Sequence, residues 1–249
     1  MQWTDNGQGF LRKNLSGEAE YRSFVPAPLD SVIPIDLSEE TVRLLGACSR
    51  KLGELEGMLR FVPNAQMYLA MYVRKEALLS AQIEGTQCTF DDILNPENTG
   101  LVQRDVADVV NYIKATEYAV ERMNELPLCM RFLREVHAIL LSGVRGSEKN
   151  PGELRSTQNW IGPGGSALKN AAYIPPNIED MNDSLRELEK FINEADNVDP
   201  IIKASLVHYQ FETIHPFLDG NGRLGRALVH TIVGGAELVP PVSLILADR

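Results

Sequence analysis

Twelve consecutive residues concentrate the polar chemistry of this sequence: His215, Pro216, Phe217, Leu218, Asp219, Gly220, Asn221, Gly222, Arg223, Leu224, Gly225 and Arg226. They supply a base able to take a proton near neutral pH, a carboxylate, three glycines, an amide and two guanidiniums. An amphipathic segment precedes them, and a second, Leu224 to Val233, follows. The pattern predicts a Gly-rich turn at a helix N-terminus, where unpaired backbone N–H groups and the dipole attract an anion. Arg223 and Arg226, three residues apart, share one helical face above that turn. Two fixed cations beside a nest of amides suit a polyphosphate. Asp219, next to bound phosphates, suits Mg²⁺, which takes few carboxylates and keeps most of its waters.

The turn needs elements to hold it. Asp199-Pro200, in the preferred N-cap and N1 positions, opens a helix that runs to about Ile214 and delivers His215 at its end. His208, seven residues earlier on the same side, reads as structural. Asn177 caps the preceding helix, whose apolar face is Met181, Leu185, Leu188, Phe191 and Ile192. Further upstream, helices are expected over about 103–125 (Val106, Val109, Val110, Ile113, Val120) and 128–142 (Phe132, Leu133, Val136, Ile139, Leu140). His137 falls beside the second stripe and reads as a packed histidine. Residues 143–156 read as loop. Thr157–Ile161, a turn over Gly162–Gly165 and Ala172–Pro176 read as a short β-hairpin whose free edge suits an extended peptide.

Near the N-terminus, Ser38 caps a helix to Arg60 with Glu39 and Glu40 in its first turn. Pro63 breaks it, and Asn64 caps the next, over about 65–84. Met67, Met71, Leu78 and Ala81 recur on that helix at packing intervals, and Tyr68, Met71 and Tyr72 read as core. Ser80 and Glu84 lie one turn apart on it, with Gly85 as its stop. Asp91–Gly100 reads as a polar joint, residues 1–37 as an irregular arm packed on the surface, and Leu238–Leu246 as a closing apolar run.

A chain of 249 residues that is 44% hydrophobic can bury a sizeable core. Its net charge of −10 and pI near 5.0 argue against a nucleic-acid surface, so the two arginines form a local basic site. Cys48, Cys88 and Cys129 are widely spaced without a metal-ligand pattern and are expected to be reduced thiols. No run reaches the ~18 apolar residues of a membrane span, and Met1–Asn14 lacks an apolar h-region. A cytoplasmic location is expected.

The stretch from His215 to Arg226 resembles, at every fixed position, the signature of the Fic family of protein adenylyltransferases. The resemblance implies an all-α fold, a Fic-type helical bundle with a small β-hairpin flap. It implies a helical N-terminal region, 1–100, and a catalytic core, 101–249. It further implies transfer of AMP from ATP to a Ser, Thr or Tyr hydroxyl of a target protein, with release of pyrophosphate. His215 would be the base and Asp219 the Mg²⁺ ligand. Gly220, Asn221, Gly222 and Arg223 would surround the phosphates, with Arg226 on the γ-phosphate. Gly222 stands where the related Doc-type kinases carry lysine, which sides with nucleotidyl transfer. Ser80, Glu84 and Gly85 resemble the family's inhibitory motif, so Glu84 would pair with Arg226 and occupy the γ-phosphate position. Arg155, Trp160-Ile161-Gly162 and Ile174-Pro175-Pro176 resemble the family's flap, and Tyr21–Pro28 resembles an N-terminal arm common to one group of members. Removal of AMP at the same site, and a catalytically idle scaffold, remain as alternatives. The expected partner is a target protein, with self-modification and a homodimer left open; neither membrane nor nucleic acid is expected.

Overall fold

The computed structural model describes residues 2–3, 7–32, 35–59, 61–63, 65–95, 103–164 and 167–235. Among these, three short strands come first: β1 (Gln2–Trp3), β2 (Gly9–Asn14) and β3 (Tyr21–Pro26). Eight α-helices follow: α1 (Glu39–Leu59), α2 (Ala65–Ile83), α3 (Phe90–Leu94), α4 (Gln103–Arg122), α5 (Met130–Leu140), α6 (Ile178–Glu194), α7 (Pro200–Ile214) and α8 (Asn221–Gly235). The expected all-α bundle is what the chain forms. No helix among the described residues is long and apolar enough to cross a membrane.

The capping signals act as the sequence predicts. Ser38 Oγ accepts from the Thr41 N–H, Asn177 from Asp180, and Asp199 from Ile201 and Ile202. These bonds fix where α1, α6 and α7 begin. The core lies around α7 and α8, which pack against each other, while α2, α4 and α5 also touch α8. Val207, Phe211 and Ile214 of α7 meet Leu224 and Leu228 of α8 in that core, with Phe217 of the turn beside them. Each such side chain contributes about 1.5–3 kcal/mol by leaving water. Leu78 and Ala81 of α2 belong to the same cluster, so the Ser80–Glu84 face is anchored to the helix that follows the signature.

Four readings are corrected in detail. Among the described residues of the N-terminal arm, expected to be irregular, β1, β2 and β3 form an antiparallel sheet in that order, with Phe10 opposite Val25 and Arg12 opposite Ser23. The missed signal is Asn14-Leu15-Ser16-Gly17, a Gly-containing connection in which Leu15 and Gly17 have positive φ, between two extended runs. Asp91–Leu94 belongs to helix α3, held by a capping box in which Thr89 and Asp92 bond reciprocally. Leu78 and Ala81 are buried as expected, but Met71 and Tyr72 are exposed, and α2 buries Val73 and Ala77 in their place. On α4, Val106 and Val109 are buried as expected, Tyr112, Ala115 and Ala119 complete the buried stripe, and Val110 and Ile113 lie at its flank. The Asn64 cap, Pro96, Gly100, Gly165 and the Leu238–Leu246 run lie outside the described residues.

The expected hairpin over 157–176 is present as a single antiparallel bridge. The Ile161 N–H donates to the Tyr173 carbonyl at 2.8 Å, and the Tyr173 N–H returns to Ile161 at 3.0 Å. Pro163, Pro175 and Pro176 offer no N–H, which ends the ladder. The segment borrows a second edge, since the Phe24 N–H of β3 donates to the Ile174 carbonyl at 2.9 Å. Tyr21 adds a hydrogen bond to Gln158, so the N-terminal sheet braces the flap.

Candidate active site

His215 ends α7 as its C-cap in a left-handed conformation, φ 50° and ψ 61°. A non-glycine residue there needs external support. Its carbonyl accepts from Arg155 Nε at 3.0 Å and from Asn159 Nδ2 at 3.4 Å. Burial pushes the His215 pKa below the ordinary histidine value, and Arg155 acts in the same direction. A hydrogen bond with the Glu212 backbone and the charges of Glu84 and Asp219 act the other way without reversing it. The ring is thus a neutral base at neutral pH. Glu212 Oε2 stands 3.8 Å from Nδ1, and burial raises the pKa of that carboxyl.

The turn after His215 is held from within. Asn221 Oδ1 accepts from the Phe217 N–H, and its Nδ2 donates to the Phe217 carbonyl, both at 2.9 Å. The Asn221 side chain therefore shapes the loop, and its backbone N–H is the group left for an anion at the start of α8. Gly220 has φ +76°, and a Cβ there would come within 3.4 Å of His137 Nε2. His137, fully buried and stacked on Phe217 at 3.8 Å, bonds Nε2 to the Asp219 carbonyl. Its Nδ1 accepts from the Gly152 N–H at 2.8 Å, so Nε2 carries the proton and donates to Asp219. The packed histidine of the sequence reading is a strut beneath the turn.

Burial depresses the His137 pKa, so the folded chain binds a proton there more weakly than the unfolded one. Its contribution to stability is complete above the unfolded value of about 6.5 and is lost as pH falls from there toward the folded value. Urea unfolding at about pH 7.5 and about pH 5.5 is expected to show a larger acid loss for wild type than for His137→Gln. Equal losses would contradict the neutral strut.

Of the two signature arginines, Arg223 is 2% exposed. Its Nη2 lies 3.4 Å from Asp219 Oδ1 and its Nη1 3.8 Å from the buried Asp108, while Nε and Nη1 have no hydrogen-bond partner among the described residues. A buried guanidinium with idle donors is costly unless an anion completes it. Arg226 is engaged by α2: Nε donates to Ser80 Oγ at 2.7 Å, and Nη2 to the Ser80 carbonyl and to Glu84 Oε1 at 3.1 and 2.8 Å. Gly85, at φ +90°, ends α2 just after Glu84, whose carbonyl takes a bond from Arg145. A Cβ on Gly222 would lie 2.6 Å from Glu84 Oε1, so the carboxylate rests on the bare backbone of the turn. Beneath Ser80, Tyr112 donates to the buried Glu76, which also meets His230 of α8 at 3.3 Å.

Asp219 is the candidate metal ligand. Its Oδ1 accepts from the Gly220 N–H, and Oδ2 lies against Gly146, where a Cβ would come within 2.9 Å. Among the described residues no group of three or more His, Cys, Asp or Glu could hold a metal. A lone, partly exposed carboxylate fits an ion that arrives with phosphates and keeps its waters. Sequence reasoning missed Asp108, Glu76, Tyr112 and His230, which carry no signal beyond their place on buried helix faces, and the roles of His137 and Arg155 in holding the turn.

The helical bundle thus gathers backbone amides, a guanidinium with two idle donors and an imidazole around one turn, groups suited to an anion. Two family models match successive parts of this chain, Fic/DOC family N-terminal over residues 42–121 and Fic/DOC family over 127–233. The chain belongs to the Fic/DOC family. Proteins named "Protein adenylyltransferase Fic" from Drosophila grimshawi and Drosophila melanogaster are 29% identical to it over 178 residues, 68% of this chain. The chain spans about a third (34%) of the length of these curated relatives. A Fic family protein from Desulfovibrio desulfuricans shares the fold at TM-score 0.62 and 22% identity, over 82% of this chain and 60% of that one. A Fic domain containing signaling protein from Bacteroides thetaiotaomicron does so at 0.63 and 23%, over 74% and 71%.

Proposed function

We propose that this chain transfers AMP from ATP to a hydroxyl side chain of a target protein and is held at rest by Glu84. The observation that carries the reading is the Arg226–Glu84 contact at 2.8 Å, made over the bare backbone of Gly222. A carboxylate lying on an anion-binding turn and neutralising its second arginine stands where a phosphate would otherwise go. The name of the curated relatives, protein adenylyltransferase, supports the same chemistry. On this reading residues 1–100 carry the restraint and 101–249 the reaction.

The hydroxyl oxygen attacks the α-phosphorus in line, the bond from that phosphorus to the leaving oxygen breaks, and pyrophosphate departs. His215 takes the hydroxyl proton. Positioning and charge neutralisation carry most of such a transfer. The idle donors of Arg223 and the first amides of α8, those of Asn221 and Gly222, hold phosphate oxygens, while the Gly220 N–H is given to Asp219 Oδ1. Arg226, once released by Glu84, takes the γ-phosphate. Asp219 would hold Mg²⁺, which supplies charge neutralisation at the phosphates. Incubation of the protein with ATP and Mg²⁺, followed by intact-mass analysis of lysate proteins and of the chain itself, tests the reading. AMP adducts are expected; their absence even with Glu84→Gly would refute it.

Removal of AMP is the second reading, favoured by a carboxylate that already reaches the turn and could hold a water there. A pre-modified target incubated with protein and Mg²⁺ but no ATP separates the two by the direction in which AMP flows. For the donor, Gly222 leaves the turn open for nucleotidyl transfer, and ATP is expected to be used ahead of other nucleoside triphosphates. A competition in which UTP outruns ATP would overturn that expectation.

A further inference from the structure

Arg155 is among the largest fully buried side chains of the described residues, 2% exposed, and no carboxylate pairs with it. Its partners are backbone carbonyls. Nε donates to His215 at 3.0 Å, Nη1 to Thr157 at 3.3 Å and Nη2 to Pro176 at 2.5 Å, while its own N–H donates to Pro216 at 2.9 Å. A buried cation answered only by dipoles is expensive, and burial lowers its pKa to about 10. Such a group is retained for what it holds in place.

The three carbonyls are the point. Thr157 and Pro176 are the two legs of the flap, and His215 is the strained residue that ends α7. One rigid fork therefore joins the entry and the exit of the flap to the backbone of the base. We propose that Arg155 is a positioning residue that sets the flap and His215 as one unit, so that a hydroxyl aligned by the flap meets the imidazole in register. The inference rests on the adenylyl-transfer reading for its consequence in catalysis. The clamp itself is a property of the fold and is tested without turnover.

Arg155→Met removes the fork, and Arg155→Lys keeps the charge but reaches one carbonyl at a time. In both variants hydrogen exchange at the amides of Ile161, Tyr173 and Phe217 is expected to speed up together, by roughly tenfold or more. Amides of Val109 and Tyr112 in α4 should keep their wild-type rates. In parallel, kcat for AMP transfer to protein should fall by about a hundredfold, as for a reacting group misplaced by an ångström, while the ATP dissociation constant stays within about twofold. Unchanged exchange at the three amides would overturn the clamp. So would equal acceleration throughout the chain, which would make Arg155 a general stabiliser. A wild-type protein without transfer activity would refute the functional reading, and the exchange result would still decide the clamp.

Discussion

His215→Ala is expected to lower AMP transfer by roughly 10²–10⁴-fold, the range for a removed general base, with ATP affinity retained. On the proposed reading the base acts on the target hydroxyl, whereas Arg223 and the first amides of α8 meet the phosphates. The left-handed backbone at His215 strains alanine, so His215→Asn, a residue that tolerates that conformation, is the second variant. Both should show the same loss, separating chemistry from backbone strain. Because burial depresses the His215 pKa, the base form persists at neutral pH. The acid limb of the rate should therefore lie below the ordinary histidine value of about 6.5 and vanish in the variants. Undiminished transfer by a folded His215→Asn protein would remove His215 from the mechanism.

Glu84→Gly is expected to raise transfer. On the proposed reading, ATP displaces the Glu84–Arg226 pair before its γ-phosphate reaches the guanidinium. The pair is partly exposed and so is screened by water, which places its worth at about 1–2 kcal/mol, or roughly a five- to thirtyfold gain in competent enzyme. Loss of a carboxylate facing the triphosphate adds in the same direction. Ser80 still holds Arg226 Nε, which keeps the guanidinium aimed at the turn. Stability should fall by about 1 kcal/mol for a glycine at a helix end. Initial rates at equal ATP decide it. Equal rates would reduce Ser80–Gly85 to a helix terminus, and a slower variant would favour Glu84 as a working group in AMP removal.

The site was legible in the sequence because its chemistry is contiguous: His215 to Arg226 is one turn and the start of one helix. The Ser80–Glu84 contact lies far away in sequence, about 140 residues, yet it too could be named, since i, i+4 spacing fixed one face and resemblance supplied its partner. Caps were legible for the same local reason, as at Asp199 and Asn177. What the sequence hid is long-range support. Nothing in Arg155 marks a side chain that will be buried against three carbonyls, and Asp108 reads as one more charge on a helix until its face turns inward. Periodicity also misjudged which apolar residues are covered: Met71 and Tyr72 fit the pattern of α2 and remain exposed. The N-terminal sheet was missed because its strands are short and lack the apolar/polar alternation that marks a strand, and only their pairing across Leu15–Glu20 makes them a unit.

The most direct measurement follows two labels in parallel. Glu84→Gly protein is incubated with a target lysate and Mg²⁺, once with ATP labelled at the α-phosphate and once with ATP labelled at the γ-phosphate. Protein-bound label is predicted from the α-labelled donor alone, dependent on His215 and stronger than with wild type, with the γ label recovered in pyrophosphate. Label on protein from the γ-phosphate, or from neither donor, would contradict adenylyl transfer restrained by Glu84.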